Sequence, residues 1–498
     1  MTRSLLQGVV SIAAGRLGQV MIGLVFIPFL VRFLGPEKYG KYAFILSVFA
    51  MANILLTSGT NDAVRKFISE KDDNRWQNAV FGGVARPATI IAVVVATIFV
   101  LGASSGFVER ILGPEYVLSF YILSIYAIGR QCREYLIRTL MGLQLENFSE
   151  PLKVFQDGLF AFLALSAAYF GYGVEGILIA DIVTSFVVAT AAALLLNKHL
   201  NLSSVVSPPD VSLPANIYPY IGSTVLFFGF LMSLYHVDVL LLQYWTSETT
   251  VGYYKGSLVI VERLWFVPVV IQLALLQRIS KLWANDDLEK IQRQASQVTR
   301  LGLLFTLLVT IGMAALADDF IRFYLGSEFE PAVTPLLLLL PGVIGFAAAR
   351  PTLAINQGRQ SLRPLIIATA MSSLINLLLN TVLIPHYGMY GAAIATSFGY
   401  GSLSLFQAMA ARHVGYKPFY HLPVVRIIAT CVITAIPVFG MSTLIGSALV
   451  SLLVVPIVGL ITFVATAIVT GAIKQREVQY GVNALQLVIT RFRDPRSV

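Results

Sequence analysis

Arginine side chains lie inside apolar runs of this sequence, where hydrocarbon or a packed core would surround them. Arg16 and Arg263 fall near the middle of two such runs, and Arg86 and Arg350 lie closer to the ends of two others. An ionised group near the centre of a bilayer costs about 2.5–3.5 kcal/mol, so it generally faces a cavity or a partner. A guanidinium stays charged at any depth, and its planar fork matches phosphate oxygens. Arginines that converge on one cavity would therefore hold a diphosphate.

The same arginines have a second interpretation, as partners of carboxylates or as side chains that extend to the membrane interface. The carboxylates available in apolar runs are Asp157, Asp181, Asp238 and Glu262. Arg130, Arg133 and Arg138 follow one another along a further run and are open to the same alternatives.

Some of these carboxylates also have an interpretation of their own. Asp238, near His236, would either bind a coupling cation or proton or neutralise an arginine. Glu262 and Asp157 are further candidates for ion coupling. Asn376 and Asn380 are four residues apart, so they share one helix face, where hydrogen bonding between helices is the expected use.

The composition is that of an integral membrane protein. The 498 residues are 57% hydrophobic and 12% charged, with a mean hydropathy of +0.77. Soluble domains carry about 25% charged residues. The two cysteines, Cys132 and Cys431, lie in apolar runs and indicate neither a disulfide framework nor a metal site. The net charge of +9 fits basic cytoplasmic loops better than nucleic-acid binding.

Apolar runs long enough to cross a bilayer recur along the chain and predict about fourteen transmembrane helices. The fold class is all-α. The predicted organisation is an N-terminal six-helix lobe (1–200), a cytoplasmic linker (201–215), a second six-helix lobe (216–412), two extra helices (413–473) and an amphipathic basic tail (474–498). Most of the 35 lysines and arginines fall in one set of alternate loops and at both termini, which places the termini in the cytoplasm.

The second lobe repeats the first. Three segments match in the same order and at nearly the same sequence offset: 34–42 with 245–254, 107–115 with 320–328, and 172–176 with 387–391. Six helices per lobe is an even number, so both lobes enter the membrane in the same direction. The lobes are therefore expected to be related by a pseudo-two-fold axis along the membrane normal, one of the two repeat arrangements that transporters use.

Several catalytic signatures are absent from the sequence. It contains no GxxxxGK[ST] phosphate loop and no serine nucleophile motif. Its five histidines do not have metal-ligand spacing. No large loop is available for a soluble catalytic domain, as a membrane-embedded glycan polymerase or ligase would need. The sequence therefore predicts no enzyme, no cofactor and no metal site.

Three sets of segments carry a family resemblance: 15–19 with 28–42, 238–242 with 251–254, and 387–393. In these segments the chain resembles the polysaccharide-biosynthesis (Wzx-like) flippases of the multidrug/oligosaccharidyl-lipid/polysaccharide exporter superfamily. The resemblance implies two six-helix lobes around a cavity that alternates between the two membrane faces. It also implies that the cargo is an oligosaccharide on an undecaprenyl or dolichyl (di)phosphate.

The predicted function is therefore translocation of such a lipid-linked oligosaccharide from the cytoplasmic to the outer leaflet of the cell membrane. Arg16, Arg263, Arg86 and Arg350 are the candidates for neutralising the phosphate. Membrane lipids and glycan polymerase or glycosyltransferase machinery are the expected partners. The alternative is a cation-coupled multidrug or small-molecule exporter of the same superfamily. Such exporters favour acidic sites, whereas the first helix here carries Arg16 and no carboxylate.

Overall fold

The computed structural model describes residues 3–207, 211–270, 272, 275, 288–358, 363–419, 422–473 and 477. The side chains of residues 3–14, 16, 17, 357, 358 and 414 lie outside that description. Regular structure in the described residues is entirely helical. The α-helices are α1 (Arg3–Asn53), α2 (Thr60–Ile68), α3 (Asn74–Ser104), α4 (Phe107–Leu112), α5 (Val117–Gly142), α6 (Glu146–Tyr169), α7 (Gly173–Leu196), α8 (Ile217–Trp245), α9 (Glu248–Leu264), α10 (Leu288–Ala315), α11 (Ala317–Tyr324), α12 (Val333–Gly358), α13 (Arg363–Val414), α14 (Val424–Leu444) and α15 (Ala448–Val469).

Ten helical segments of the described chain are long and apolar enough to cross a membrane, so this is a multi-pass membrane protein. Two of them, Gly18–Ile68 and Arg363–His413, contain 51 residues each. A straight helix of that length would extend roughly 75 Å, more than twice the thickness of the hydrocarbon core. Gly35 (φ 70°) and Gly388 (φ 53°) interrupt these two segments with non-helical backbone. Each segment therefore supplies two spans, and the count of fourteen stays a prediction.

The matched turns of the two repeats share an unusual backbone geometry. Gly113 follows α4 with φ 110° and ψ 159°, and Gly326 follows α11 with φ 109° and ψ 162°. A short 3₁₀ helix comes next in both places, Pro114–Tyr116 and Ser327–Ala332. Side chains with a Cβ rarely adopt this positive φ, so the same glycine is required twice. The matching geometry supports the predicted duplication.

The helices divide into two compact units, one comprising Met1–Gly256 with Thr369–Thr396 and the other Ser257–Ala368 with Ser397–Val498. The boundaries of these units differ from those of the predicted lobes, so the lobe boundaries stay a prediction. Part of the predicted linker, 208–210, lies outside the described residues, and so does the predicted amphipathic tail apart from Glu477.

In the first unit, an apolar cluster joins α2, α3, α5 and α7 around Phe67, Trp76, Phe81 and Tyr135. The Trp76 indole nitrogen donates to the Phe67 carbonyl at 2.9 Å, which ties α3 to α2. In the second unit, Trp265 packs against Phe346 and Tyr400 with ring centroids 4.3 and 5.1 Å away. Side chains on the outer faces of α14 and α15 stay apolar and exposed, as lipid-facing helices require.

Candidate functional site

A buried carboxylate forms the centre of an oxygen-rich cluster in the first unit. Asp238 lies on α8 and is 0% exposed. Its Oδ2 accepts from the Tyr254 hydroxyl of α9 at 2.5 Å and from the Thr396 hydroxyl of α13 at 3.0 Å. Its Oδ1 accepts from the backbone N–H of Val239 at 2.8 Å. Among the described residues, Asp238 bonds hydroxyls and a backbone N–H and takes part in no ion pair.

Two asparagines extend this cluster along α13. The Asn376 Nδ2 donates to the Ala395 carbonyl at 3.3 Å, and the Asn380 Nδ2 donates to the Asn376 carbonyl at 2.9 Å. Asn376 therefore bonds across the Gly388 break to the second half of α13, as predicted for hydrogen bonding between helices, whereas Asn380 bonds its own helix. Both Oδ1 atoms are buried and have no hydrogen-bond partner among the described residues. A buried carbonyl oxygen without a donor is costly in a low-dielectric interior. The cluster thus combines one carboxylate and two hydroxyls, with Asn376 in contact through its Nδ2, 3.5 Å from the Thr396 hydroxyl, and Asn380 one helical turn further along α13.

Such a set of donors suits a hard cation or a proton. Oxygen ligands are what small, strongly hydrated cations prefer, and the single carboxylate supplies one negative charge. Within the described ranges, no group of three or more histidine, cysteine, aspartate or glutamate side chains is arranged to hold a metal. The Nδ1 of His236, two residues before Asp238 in the sequence, lies 3.3 Å from the Ser47 hydroxyl.

Arg263 lies beside a break in the helix that carries it. The α-helix α9 ends at Leu264, and helical backbone resumes over 266–270. Pro268 explains the break, because it has no N–H for the Leu264 carbonyl and its ring crowds that group. Arg263 is half-buried, and no ion pair of the described residues includes it. Burial raises the pKa of the nearby Tyr324 hydroxyl, and the positive charge of Arg263 opposes that rise.

Arg350 occupies the aromatic cluster of the same unit. Its guanidinium carbon lies 4.1 Å from the centroid of the Phe346 ring, and its NH1 donates to the Gln272 side chain at 2.9 Å. Phe346 is also the ring that packs on Trp265. Arg350 therefore lies near the helix break that follows α9. Arg263 is the residue before the last residue of α9, so it lies beside the same break.

The other predicted site residues lie elsewhere. Arg86 on α3 donates to the Val205 carbonyl at 3.0 Å and also to the Ser207 carbonyl, which fastens the connection between α7 and α8. This geometry favours a structural role for Arg86. The Arg16 side chain lies outside the described residues, although the backbone there is helical. Asp157 is half-buried and accepts from the Gln19 side chain at 2.8 Å, and Glu262 is half-buried on α9.

Arg133 on α5 pairs with a carboxylate, which is the second interpretation given above for the arginines in apolar runs. It is 1% exposed, and its NH1 bonds Asp181 at 3.1 Å and the Ser185 hydroxyl at 2.8 Å. Arg130 donates to the Tyr126 hydroxyl at 2.6 Å, which in turn donates to Asp181 at 2.6 Å. Arginines and a carboxylate therefore form one buried network that holds α5 against α7.

Replacement of Arg133 with alanine should destabilise the protein by about 3–5 kcal/mol, because it leaves Asp181, which is only 17% exposed, without its ion-pair partner. The Tm of the purified protein in detergent is the measurement. Arg322→Ala is the matched control, since that arginine is 48% exposed and its ion pairs with Asp318 and Glu330 are worth only about 0–1 kcal/mol. Equal Tm values for the two variants would contradict the buried-pair interpretation.

Matching positions of the two repeats meet backbone to backbone in the first unit. A Cβ built on Gly40 would collide with the Glu248 carbonyl and lie 2.8 Å from the Gly252 nitrogen. A Cβ built on Gly252 would collide with the Pro36 carbonyl and lie 3.3 Å from the Gly40 nitrogen. The contact is reciprocal, because Gly40 corresponds to Gly252 and Pro36 to Glu248 in the aligned turns. This is how equivalent residues meet at a two-fold axis.

Polar bonds surround this glycine contact. The buried Tyr116 hydroxyl donates to the Glu248 carboxylate and accepts from the Gln243 side chain at 3.1 Å. The Lys41 ammonium pairs with Glu175 at 2.8 Å and donates to the Glu115 carbonyl at 2.9 Å. The contact is therefore a closed, specifically bonded junction between the α1 turn and the start of α9.

Neither the Asp238 cluster nor the glycine contact could be predicted completely from the sequence. Tyr254 and Thr396 complete the Asp238 cluster, yet they lie on two other helices and carry no local signal, because hydroxyls in apolar helices usually bond their own backbone. The turns at Gly40 and Gly252 were recognisable as matching, but their direct contact was not. The sequence signal that indicated Asp238 was its charge inside an apolar run.

The fold and these clusters define a multi-pass membrane transporter built from a duplicated helical unit. The chain belongs to the polysaccharide biosynthesis protein family, whose model matches residues 5–262. The model of the MatE family matches residues 224–382. The predicted family resemblance is therefore confirmed.

Individual relatives agree with this assignment. The chain is 24% identical over 431 residues to the protein named "Probable flippase AglR" of Haloferax volcanii, with 84% of each chain covered. A solved structure of the lipid II flippase MurJ, in an inward closed conformation, matches with a TM-score of 0.69 at 14% identity and covers 93% of this chain and 98% of that one.

A second solved structure, an inward-facing multidrug resistance MATE transporter of the MOP superfamily, has a TM-score of 0.65 at 16% identity, with 80% and 94% covered. Both structural likenesses show the fold alone. The named relatives are flippases and transporters, so the chain belongs with transport proteins and not with enzymes.

Proposed function

We propose that this protein flips a polyprenyl-(di)phosphate-linked oligosaccharide from the cytoplasmic to the outer leaflet of the cell membrane. The observation that carries the proposal is Arg263, a half-buried guanidinium beside a helix break and outside every ion pair of the described residues. Discontinuous helices are where transporters of this kind build substrate sites. A guanidinium without a carboxylate partner keeps its charge available for an anionic headgroup. The name of the Haloferax volcanii relative, a probable flippase, supports translocation as the activity.

Arg350 and Arg16 are proposed to assist Arg263 in neutralising the (di)phosphate. Arg350 is placed for this by its contact with Phe346, which packs against Trp265 at the α9 break. Arg16 is retained from its position in the sequence alone. Arg86 is assigned instead to the connection that it fastens. The carrier is an undecaprenyl or dolichyl lipid, and the assembled glycan passes to polymerase or glycosyltransferase machinery.

Coupling of transport to a cation or proton is assigned to Asp238. The buried carboxylate and the open amide oxygens of Asn376 and Asn380 supply the ligands. Bound charge would alter how α8, α9 and α13 pack around it, because all three helices contribute to the cluster. Asp157 and Glu262 are weaker candidates, since the structure brings neither into this cluster.

Alternating access requires matching parts of the two repeats to separate on one side of the membrane. The reciprocal contact of Gly40 and Gly252 joins such parts, so we assign it as the junction that opens and closes. The positive-inside pattern puts this junction on the outer side and both termini in the cytoplasm.

The test of this function is a flipping assay with purified protein reconstituted in vesicles that contain a lipid-linked oligosaccharide. Arg263→Ala should lower the flipping rate about tenfold, because one charge-assisted contact to phosphate is worth about 1.5–3 kcal/mol. Arg263→Lys, which keeps the charge but not the fork, should recover part of the rate. Full activity of Arg263→Ala would remove this residue from the substrate site, and no flipping by the unaltered protein would reject the function.

A cation-coupled exporter of drugs or small molecules is the second candidate. The match to the MatE model over 224–382 and the buried Asp238 favour it. It predicts that cells without the protein lose drug tolerance while their lipid-linked sugars stay unchanged. The flippase predicts the reverse.

A further inference from the structure

A polar cavity of about 660 Å³ lies in the second unit, where the start of α10 meets the start of α14 and the residues after α15. No step of the proposed transport cycle uses it. Its lining is dominated by charged and polar side chains: Arg293, Ser296, Gln297, Arg300, Pro423, Arg426, Gly471 and Glu477. These segments belong to the loops and helix ends that the positive-inside pattern places at the cytoplasmic surface.

The cavity carries a positive charge. Arg300 forms its buried wall at 8% exposure and pairs with the Glu477 carboxylate. Arg426 is exposed at the rim and donates to the Gly471 carbonyl at 3.3 Å. Arg293 is 75% exposed and pairs with Glu289 at 2.8 Å. Among the described residues, and with Glu289 included, three guanidinium groups face two carboxylates, which leaves an excess positive charge.

The hydrogen-bond donors of the cavity exceed its acceptors. Each guanidinium has five N–H donors and no acceptor. Among the described contacts, Arg426 uses one donor on a backbone carbonyl, and Arg300 is bonded through one nitrogen to Glu477. No nitrogen of either arginine is among the buried atoms of the described residues that lack a partner, so their remaining N–H groups are accessible to an oxyanion. Two oxygens of a phosphate group can accept hydrogen bonds from the two arms of one guanidinium at the same time.

We propose that this cavity binds a phosphate group, supplied either by the headgroup of an anionic phospholipid of the inner leaflet or by a free phosphate. Arg300 and Arg426 are the ligands, with Arg293 at the rim. The Glu477 carboxylate occupies the Arg300 guanidinium and competes with the phosphate for it. This makes Glu477 a determinant of affinity whose removal strengthens binding. The site is independent of the transported substrate.

The test measures the affinity of the purified full-length protein for phosphatidylglycerol and for inorganic pyrophosphate, against phosphatidylcholine as the neutral lipid. Arg426→Gln should weaken binding about tenfold, the value of one charge-assisted contact. Glu477→Gln should strengthen it several-fold, because it removes a competing negative charge. Arg322→Gln, which removes an exposed arginine that does not line the cavity, should leave it unchanged.

The outcomes separate the two sources. Binding of phosphatidylglycerol without pyrophosphate assigns a lipid headgroup, and binding of pyrophosphate without phosphatidylglycerol assigns a soluble phosphate. The proposal is overturned if neither anion binds more tightly than phosphatidylcholine. It is also overturned if Arg426→Gln and Arg322→Gln weaken binding equally, since the anion would then follow overall charge and not this cavity.

Discussion

Asp238→Asn should weaken the response of transport to its coupling cation or proton about 100-fold. The substitution keeps the shape of the side chain and removes the single negative charge of a cluster that is otherwise neutral oxygens. Loss of one buried charge contact of about 3 kcal/mol corresponds to this factor. The measurement is the flipping rate in vesicles across a range of sodium concentrations and at several pH gradients.

Asp157→Asn is the matched control for this prediction. It makes the same chemical change in the same unit, at a half-buried carboxylate bonded to Gln19. We expect the ion dependence of Asp157→Asn to stay within about twofold of that of the unaltered protein. Loss of one ordinary hydrogen bond costs about 1 kcal/mol or less. If Asp157→Asn loses the response and Asp238→Asn keeps it, the coupling site has been assigned to the wrong carboxylate.

Gly252→Ala should reduce transport about 100-fold. The added Cβ meets the Pro36 carbonyl, which is backbone and cannot move aside alone, so the α1 turn and α9 must separate. A cost of about 3 kcal/mol for such overpacking shifts the balance between closed and open junctions by about two orders of magnitude. The flipping rate is measured together with cysteine accessibility at the junction, which should rise.

Gly222→Ala is the control, because that glycine lies on α8 of the same unit and a Cβ there meets nothing within 4 Å. Alanine is the better helix former, so the variant should be as stable as the parent or slightly more stable. Gly40→Ala should behave like Gly252→Ala, given the reciprocal contact. Normal transport by both junction variants would show that the contact takes no part in the cycle.

Much of the architecture could be predicted from local patterns. Apolar runs gave the helices, and the matched turns gave the duplication that Gly113 and Gly326 display in their backbone angles. Pro268 is a local signal of the same kind, because it accounts for the helix break at Trp265. These features depend on residues close together in the sequence, which is why the pattern alone carries them.

The partners of buried charges could not be predicted in the same way. Arg133 and Asp238 were each compatible with function or with pairing, and only the fold shows that the first has Asp181 and the second has hydroxyls. Arg86 likewise finds carbonyls of a segment more than a hundred residues away. Such choices depend on which helices become neighbours, and hydropathy does not encode that.

The most direct test of the flippase assignment is the sidedness of the lipid-linked oligosaccharide in cells that lack this protein. We predict that the lipid-linked oligosaccharide accumulates on the cytoplasmic leaflet of these cells. The unaltered protein should relieve the accumulation, and Arg263→Ala should relieve it poorly. An unchanged distribution of the lipid-linked oligosaccharide in cells without the protein would contradict the assignment.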